Sequence, residues 1–317
     1  CCGRIQCIHD NGLHRRPSPM ALNLTASANP RQLVDVGSKL GEGAFWDVER
    51  RIVWFVDIKQ HRLWHFDPET GSSAMAEAPG QIGWALPAEN GMLLCGLQDG
   101  LHTFDPARQT FGKLMDVPGE PAHNRLNDAC TDPWGRVWFG SMDDSESEAS
   151  GRFYVFDRGV IRPAGPSGIT ITNGPAVNAQ GDRIYFTDTT AQRIMVAPLS
   201  PAGVGEARLF ADTGALFPDA YPDGPVVDAE GHVWTALYLG SRVARFSPDG
   251  ALVAEVEFAA RDITKMCLGG ADLKTAFVTT ATKNLEAAKF TEYPHAGSLL
   301  AFDAPVAGFE QARVKLG

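Results

Sequence analysis

The sequence lacks the features of a helical bundle, a membrane-spanning helix, a disulfide-stapled domain or a nucleic-acid binder. No run approaches the roughly 18 consecutive apolar residues that a spanning helix needs. Its six cysteines show no paired spacing: Cys1, Cys2 and Cys7 crowd the first residues, while Cys95, Cys130 and Cys267 stand singly in strand-like runs. That is not a disulfide framework, and it points to a reducing cytoplasm. Positive charge is short as well. With 28 Lys and Arg against 38 Asp and Glu, the formal net charge is −10, which repels phosphate backbones and anionic membrane surfaces. Neither nucleic acid nor membrane is expected as a partner, and nothing implies an obligate protein partner. Missing too are the G-x-S-x-G elbow of a serine hydrolase, a P-loop and a G-x-G-x-x-G turn. The eight histidines are scattered without ligand spacing.

Helical patterning is almost absent. "KNLEAAKF", from Lys283, is the one stretch with helical composition, and it reads as a loop insertion. Residues 1–19 are read as a non-native or disordered segment ahead of Met20. Their Cys2, Cys7, His9 and His14 fit no standard zinc finger. Residues 20–37 read as an N-terminal arm and closing strand, and residues 38–317 as one domain. In composition, 44% hydrophobic and 21% charged is ordinary for a globular protein.

What the chain does have is a repeat. An Asp, Asn or Glu turn with Gly, next to a short β-rich run, returns in "AENGMLLCGL", "DPWGRVWFGS", "NAQGDRIYFTD" and "DAEGHVWTAL". From Gly91 the turn glycines follow at intervals of about 44, 46 and 50 residues through Gly135, Gly181 and Gly231. A second signature, an aromatic strand ending in a polar turn, follows each time, as in "HRLWHFDPETG", "GRFYVFDRG" and "SRVARFSPDG". A sandwich gives no reason for a composite signature to recur at that length, whereas propeller blades do. Six units fit, so the expected fold is an all-β, six-bladed β-propeller with a central channel. "QLVDVG" near the start is expected to pair into the last blade and close the ring.

In such a ring, residues just before each innermost strand meet around one opening. Four polar clusters occupy that place: Gly41-Glu42-Gly43, Arg125-Leu126-Asn127-Asp128, Thr172-Asn173-Gly174-Pro175 and Tyr221-Pro222-Asp223-Gly224. Glu42, Asn173 and Asp223 each set an oxygen ligand beside a glycine, a donor set that suits a hard divalent cation. An Asp or Asn before Gly is most often a turn former, but Asp132, Asn178 and Asp228 already supply the turns from a later position. Asn127 is expected to face the channel, and Asp128 to serve in structural hydrogen bonding. Phe45, Trp84 and Tyr238 are candidates for a pocket wall, although blade tryptophans more often pack between sheets. The longer insertions, Gly214–Tyr221 and Leu285–Gly297, are expected to shape the rim.

"LGEGAFWD", "RLNDACTDPWGRVWFGSM", "TNGPAVNAQGDRIYFTD", "YPDGPVVDAEGHVWTALY" and "GGADLKTAFVTTA" resemble successive signatures of the SMP-30/gluconolactonase/LRE family, which includes regucalcin and bacterial sugar lactonases. The resemblance runs from about Lys39 to the C-terminus and is strongest toward bacterial aldonolactonases such as the pentonolactonases. It implies a six-bladed propeller with one metal on the axis, held by Glu42, Asn173 and Asp223, with Arg125 and Asn127 gripping substrate hydroxyls. The further acidic contact of regucalcin falls on Ser145 here, a departure that bears on sugar preference. The implied reaction is hydrolysis of a sugar lactone, with Asp223 the ligand placed to act as general base. The cofactor is one divalent ion, with Ca, Zn, Mn, Mg and Fe(II) all compatible. Two alternatives stay open: a non-catalytic calcium-binding regulatory propeller, and a phosphotriesterase-like hydrolase on the same fold.

Overall fold

Each repeat unit folds into an antiparallel meander because apolar β-rich runs alternate with tight Gly-containing turns. The computed structural model describes residues 21–317, so the Cys2, Cys7, His9 and His14 group and the reading of residues 1–19 lie outside the described residues. Blade one comprises Gly41–Asp47, Ile52–Asp57, Arg62–Asp67 and Ser72–Glu77. Blade two begins at Ile82–Pro87, blade three at Asn124–Thr131, blade four at Thr172–Val177, blade five at Tyr221–Val227 and blade six at Asp262–Gly269. Each of these innermost strands packs against the next, and the sixth packs against the first, which makes a six-bladed propeller.

The two chain ends close the ring. Arg31–Asp35 pairs antiparallel with Ser298–Asp303 as the outermost strand of blade six, so the last blade is built from both ends of the described chain. The only α-helix among the described residues, Thr25–Ala28, sits in the arm ahead of that strand.

Between the blades lies an aromatic core in which Trp84, Trp138, Trp234, Tyr154 and Phe139 are fully buried. Burial of each such side chain contributes about 2–3 kcal/mol. The hairpin residue after the innermost strand serves two purposes. Asp132 accepts backbone N–H bonds from Trp134 (3.0 Å) and Arg136 (3.1 Å), and also takes the indole N–H of Trp138 at 2.8 Å. Asp228 and Asp47 repeat the arrangement with Trp234 and Trp54. One carboxylate thus closes each of these turns and satisfies a buried indole.

On the hairpin side of the ring the C-terminal segment runs from blade to blade. The Gly308 N–H donates to Leu273 O, Ala229 N–H to Ala307 O, Val314 N–H to Pro87 O and Lys315 N–H to Gly135 O, all within 2.8–3.0 Å. Arg313 pairs with Asp47 (3.2 Å) and Glu49 (2.9 Å). Blades six, five, two, three and one are laced together on this face.

Candidate metal centre

All six innermost strands lose register with their neighbour at the same place: between Glu42 and Phe45, Ile82 and Trp84, Leu126 and Ala129, Asn173 and Ala176, Pro222 and Pro225, and Ile263 and Met266. A bulge bends the strand and re-aims its side chains. Glu42, Asn127, Asn173 and Asp223 therefore lie within the innermost strands, at the bulge, rather than ahead of the strands as the sequence reading has them. In each of these blades the residue stands five positions before the hairpin residue (Asp47, Asp132, Asn178 or Asp228). Gly43 (φ 59°) and Gly174 (φ 72°) take the left-handed conformation that this bulge demands beside a ligand candidate.

The shared register brings Glu42, Asn127, Asn173 and Asp223, with Arg125 two residues before Asn127, into the lining of one axial cavity. All five residues are buried. Hydrogen bonds set the amide orientations. The Asn173 Nδ2 group donates to Thr189 Oγ1 (2.9 Å), whose hydroxyl donates to Pro222 O (2.9 Å), so Asn173 Oδ1 is left to accept from Asn127 Nδ2 (3.0 Å). The Asn127 Oδ1 atom accepts from Arg125 Nη1, and Arg125 Nε donates to Asp144 Oδ1 at 2.9 Å. Asp144 is itself held by Lys59 (2.6 Å) and Gln81 (2.9 Å), so blades one and two anchor the guanidinium from outside.

The two carboxylates are short of positive charge. One oxygen of Glu42 accepts the Gly43 N–H (3.1 Å) and one of Asp223 the Gly224 N–H (2.9 Å), and among the described residues neither forms an ion pair. Burial, reinforced by the charge of Asp128, pushes the Glu42 carboxyl up to about 8. Burial and the neighbouring Glu42 hold Asp223 well above the usual carboxylate range. Two desolvated acids and an amide oxygen around one cavity fit a hard divalent cation, whose charge would offset their repulsion. Among the described residues no group of three His, Cys, Asp or Glu side chains is spaced to hold a metal, so the amide is essential to this donor set.

The rest of the lining comes from where the second strands end. Met142 and Glu146 of blade three, Thr189 of blade four, Tyr238 of blade five, and Lys283 and Asn284 of blade six join Leu40 and Ile171 around the mouth. Of these only Tyr238 is a candidate from the sequence, since the others carry no aromatic or turn signature that marks them as facing the axis. Glu146 and Lys283, from opposite blades, form an ion pair at this mouth. Ser145 turns away and bonds Asp143, while its neighbour Glu146, at φ 60°, reaches the cavity. Phe45 and Trp84 line a second axial space on the hairpin side, where Trp84 packs against Phe139, and so form no wall of this one. The Gly214–Tyr221 loop contributes no lining residue; it is tied to Gln192 instead.

A family model described as the SMP-30/gluconolactonase/LRE-like region matches residues 40–282. The chain is similar to a 6-deoxy-6-sulfogluconolactonase of Pseudomonas putida, with 29% identity over 86% of this chain and 93% of that one. It is also similar to an L-arabinolactonase of Azospirillum brasilense, with 31% identity over 89% of this chain and 94% of that one. Among solved structures, a calcium-binding protein, regucalcin, from Agrobacterium tumefaciens superimposes with a TM-score of 0.87 at 26% identity, covering 91% of this chain and 98% of that one.

Proposed function

The chain belongs to the SMP-30/gluconolactonase/LRE-like family, and from that premise we propose that it hydrolyses a sugar lactone to the aldonic acid with the help of one divalent metal ion. The substrate class is an aldono-1,4- or 1,5-lactone of pentono- or glucono- type, by analogy with the sugar lactonases it is similar to. The observation that carries the reading is the meeting of Glu42, Asn173 and Asp223 at one register on the axis, with Arg125 and Asn127 beside them.

Glu42, Asn173 and Asp223 would hold the ion. A divalent cation bound there supplies Lewis acidity toward the lactone carbonyl and acidity to water. Asp223 takes the proton as the water oxygen bonds to the carbonyl carbon. The ring C–O bond then breaks, and the proton passes to the departing ring oxygen. Arg125, fixed by Asp144, donates to the oxygen that gains negative charge or to a ring hydroxyl, and Asn127 orients the hydroxyls. Oxygen donors of this kind accept Ca, Mg, Mn, Zn or Fe(II). Cys95, Cys130 and Cys267 are free, buried thiols, in keeping with a reducing cytoplasm.

Acid release from a panel of aldonolactones and a phosphotriester, with and without chelator, tests this. Metal-dependent hydrolysis of at least one aldonolactone is expected. Calcium binding with no turnover of any substrate would favour a binding protein, the reading that the likeness to a calcium-binding regucalcin supports.

A further inference from the structure

One buried ion pair is left over from the reaction just described. One position beyond the ligand register in each strand stand Gly43, Trp84, Asp128, Gly174, Gly224 and Lys265. Lys265 of blade six reaches across the axis to Asp128 of the opposite blade three, Nζ to Oδ2 at 2.5 Å, with side chains 7% and 1% exposed. The lysine lies along the surface of Gly224: a Cβ there would come within 2.1 Å of Lys265 Cδ. Both charged groups line the space on the hairpin side of the axis, and neither lines the cavity that holds Glu42, Asn173 and Asp223, so the pair forms the floor between the two.

A buried ion pair is poor cement, since desolvation consumes most of its attraction and apolar replacements often stabilise as well or better. What this pair touches gives it another use. The Asp128 Oδ2 atom that meets the ammonium also accepts the Gly174 N–H at 2.8 Å, and Gly174 directly follows Asn173. The ammonium donates to Pro225 O at 3.3 Å, two residues after Asp223. A single crossbar therefore grips the chain immediately beyond two of the three ligand candidates, at the bulges where strand pairing alone cannot fix them. We propose that Lys265 is a positioning residue of the metal centre, its ammonium joining Asp128 across the axis to hold Asn173 and Asp223 at the separation a cation requires.

This inference rests on the metal-centre reading above, and the test separates the two. Asp128→Asn with Lys265→Met removes one charge of each sign, so the net charge beside the site is unchanged while the crossbar is lost. Chelator-stripped wild-type protein and the double variant are titrated calorimetrically with MnCl2 and with CaCl2, beside circular dichroism and thermal melts. The expected result is a Kd at least tenfold weaker in the variant with an unchanged circular dichroism spectrum, and a kcat at least tenfold lower with KM within about threefold. A metal Kd within twofold of wild type, whatever happens to the melting temperature, reduces the pair to packing and overturns the proposal. Wild-type protein that binds neither ion, nor MgCl2, ZnCl2 or Fe(II) in the same titration, defeats the metal-centre reading and this inference with it. Asp128→Asn with Lys265→Leu, also charge-neutral, carries the same comparison should the first variant not fold.

Discussion

At the scale of single residues the site is governed by desolvation. Glu42 and Asp223 sit buried with one backbone N–H each for company. Asp223→Ala, which removes a ligand and the base together, is expected to reduce metal-dependent lactone turnover by at least 10³-fold, whereas Arg125→Ala should act mainly through KM, raising it about 10- to 100-fold. Steady-state kinetics with saturating metal distinguishes the two. The carboxyls also set a pH dependence. Glu42 titrates near 8 in the folded metal-free chain against 4.5 for an ordinary glutamate, so the folded state binds the extra proton. That contribution is fully present below about 4.5 and is lost as pH rises through 8. Metal-free protein should therefore melt at a higher temperature at pH 5.5 than at pH 8.5, while the advantage of added metal grows with pH. Thermal melts with EDTA or excess metal decide it. Glu42, Asn173 and Asp223 stand out in the sequence because each precedes its hairpin residue by a constant interval. Lys265 does not, since its partner Asp128 is 137 positions away and only ring closure sets them face to face.

At the scale of elements, what repeats is a bulge at one end of all six innermost strands and, in four blades, a hairpin centred on Asp47, Asp132, Asn178 or Asp228 at the other. The hairpins were legible because Asp or Asn with a following Gly has a local turn chemistry. The bulges were not, because they are a property of pairing between strands, and so the ligand candidates were placed ahead of strands they lie within. The rim was legible only at Tyr238, and neither Gly214–Tyr221 nor Leu285–Gly297 supplies a lining residue: a strand returning to the mouth ends in ordinary polar residues, and nothing marks Glu146 or Lys283 as facing inward. The hairpin carboxylates should be costly to lose. Asp132→Ala leaves the Trp138 indole and the Arg136 guanidinium without their shared acceptor. A loss of about 3 kcal/mol is expected, read as a lower urea midpoint with an unchanged slope.

At the scale of the whole molecule, the repeat length together with the β-rich signature of each unit was enough to give the bladed ring, because helical solenoids of similar period would need the helical patterning this chain lacks. The lacing of the hairpin face was not legible: residues 304–317 carry no strand pattern, and their hold comes from isolated backbone bonds to four blades and the Arg313 ion pairs to blade one. Deleting residues 309–317 removes the Val314 and Lys315 bonds and the Arg313 ion pairs. The melting temperature is expected to fall by about 5–10 °C, as a differential scan would record. The same segment brings Phe309 and Gln311 into the lining of the space on the hairpin side of the Lys265–Asp128 pair. With the Lys265–Asp128 pair as its floor, the proposed site has one mouth, so the product of the proposed reaction would leave past the substrate that enters. Aldonic acid should accordingly compete with lactone for the vestibule and act as a competitive inhibitor, its carboxylate lingering wherever the lactone carbonyl had been.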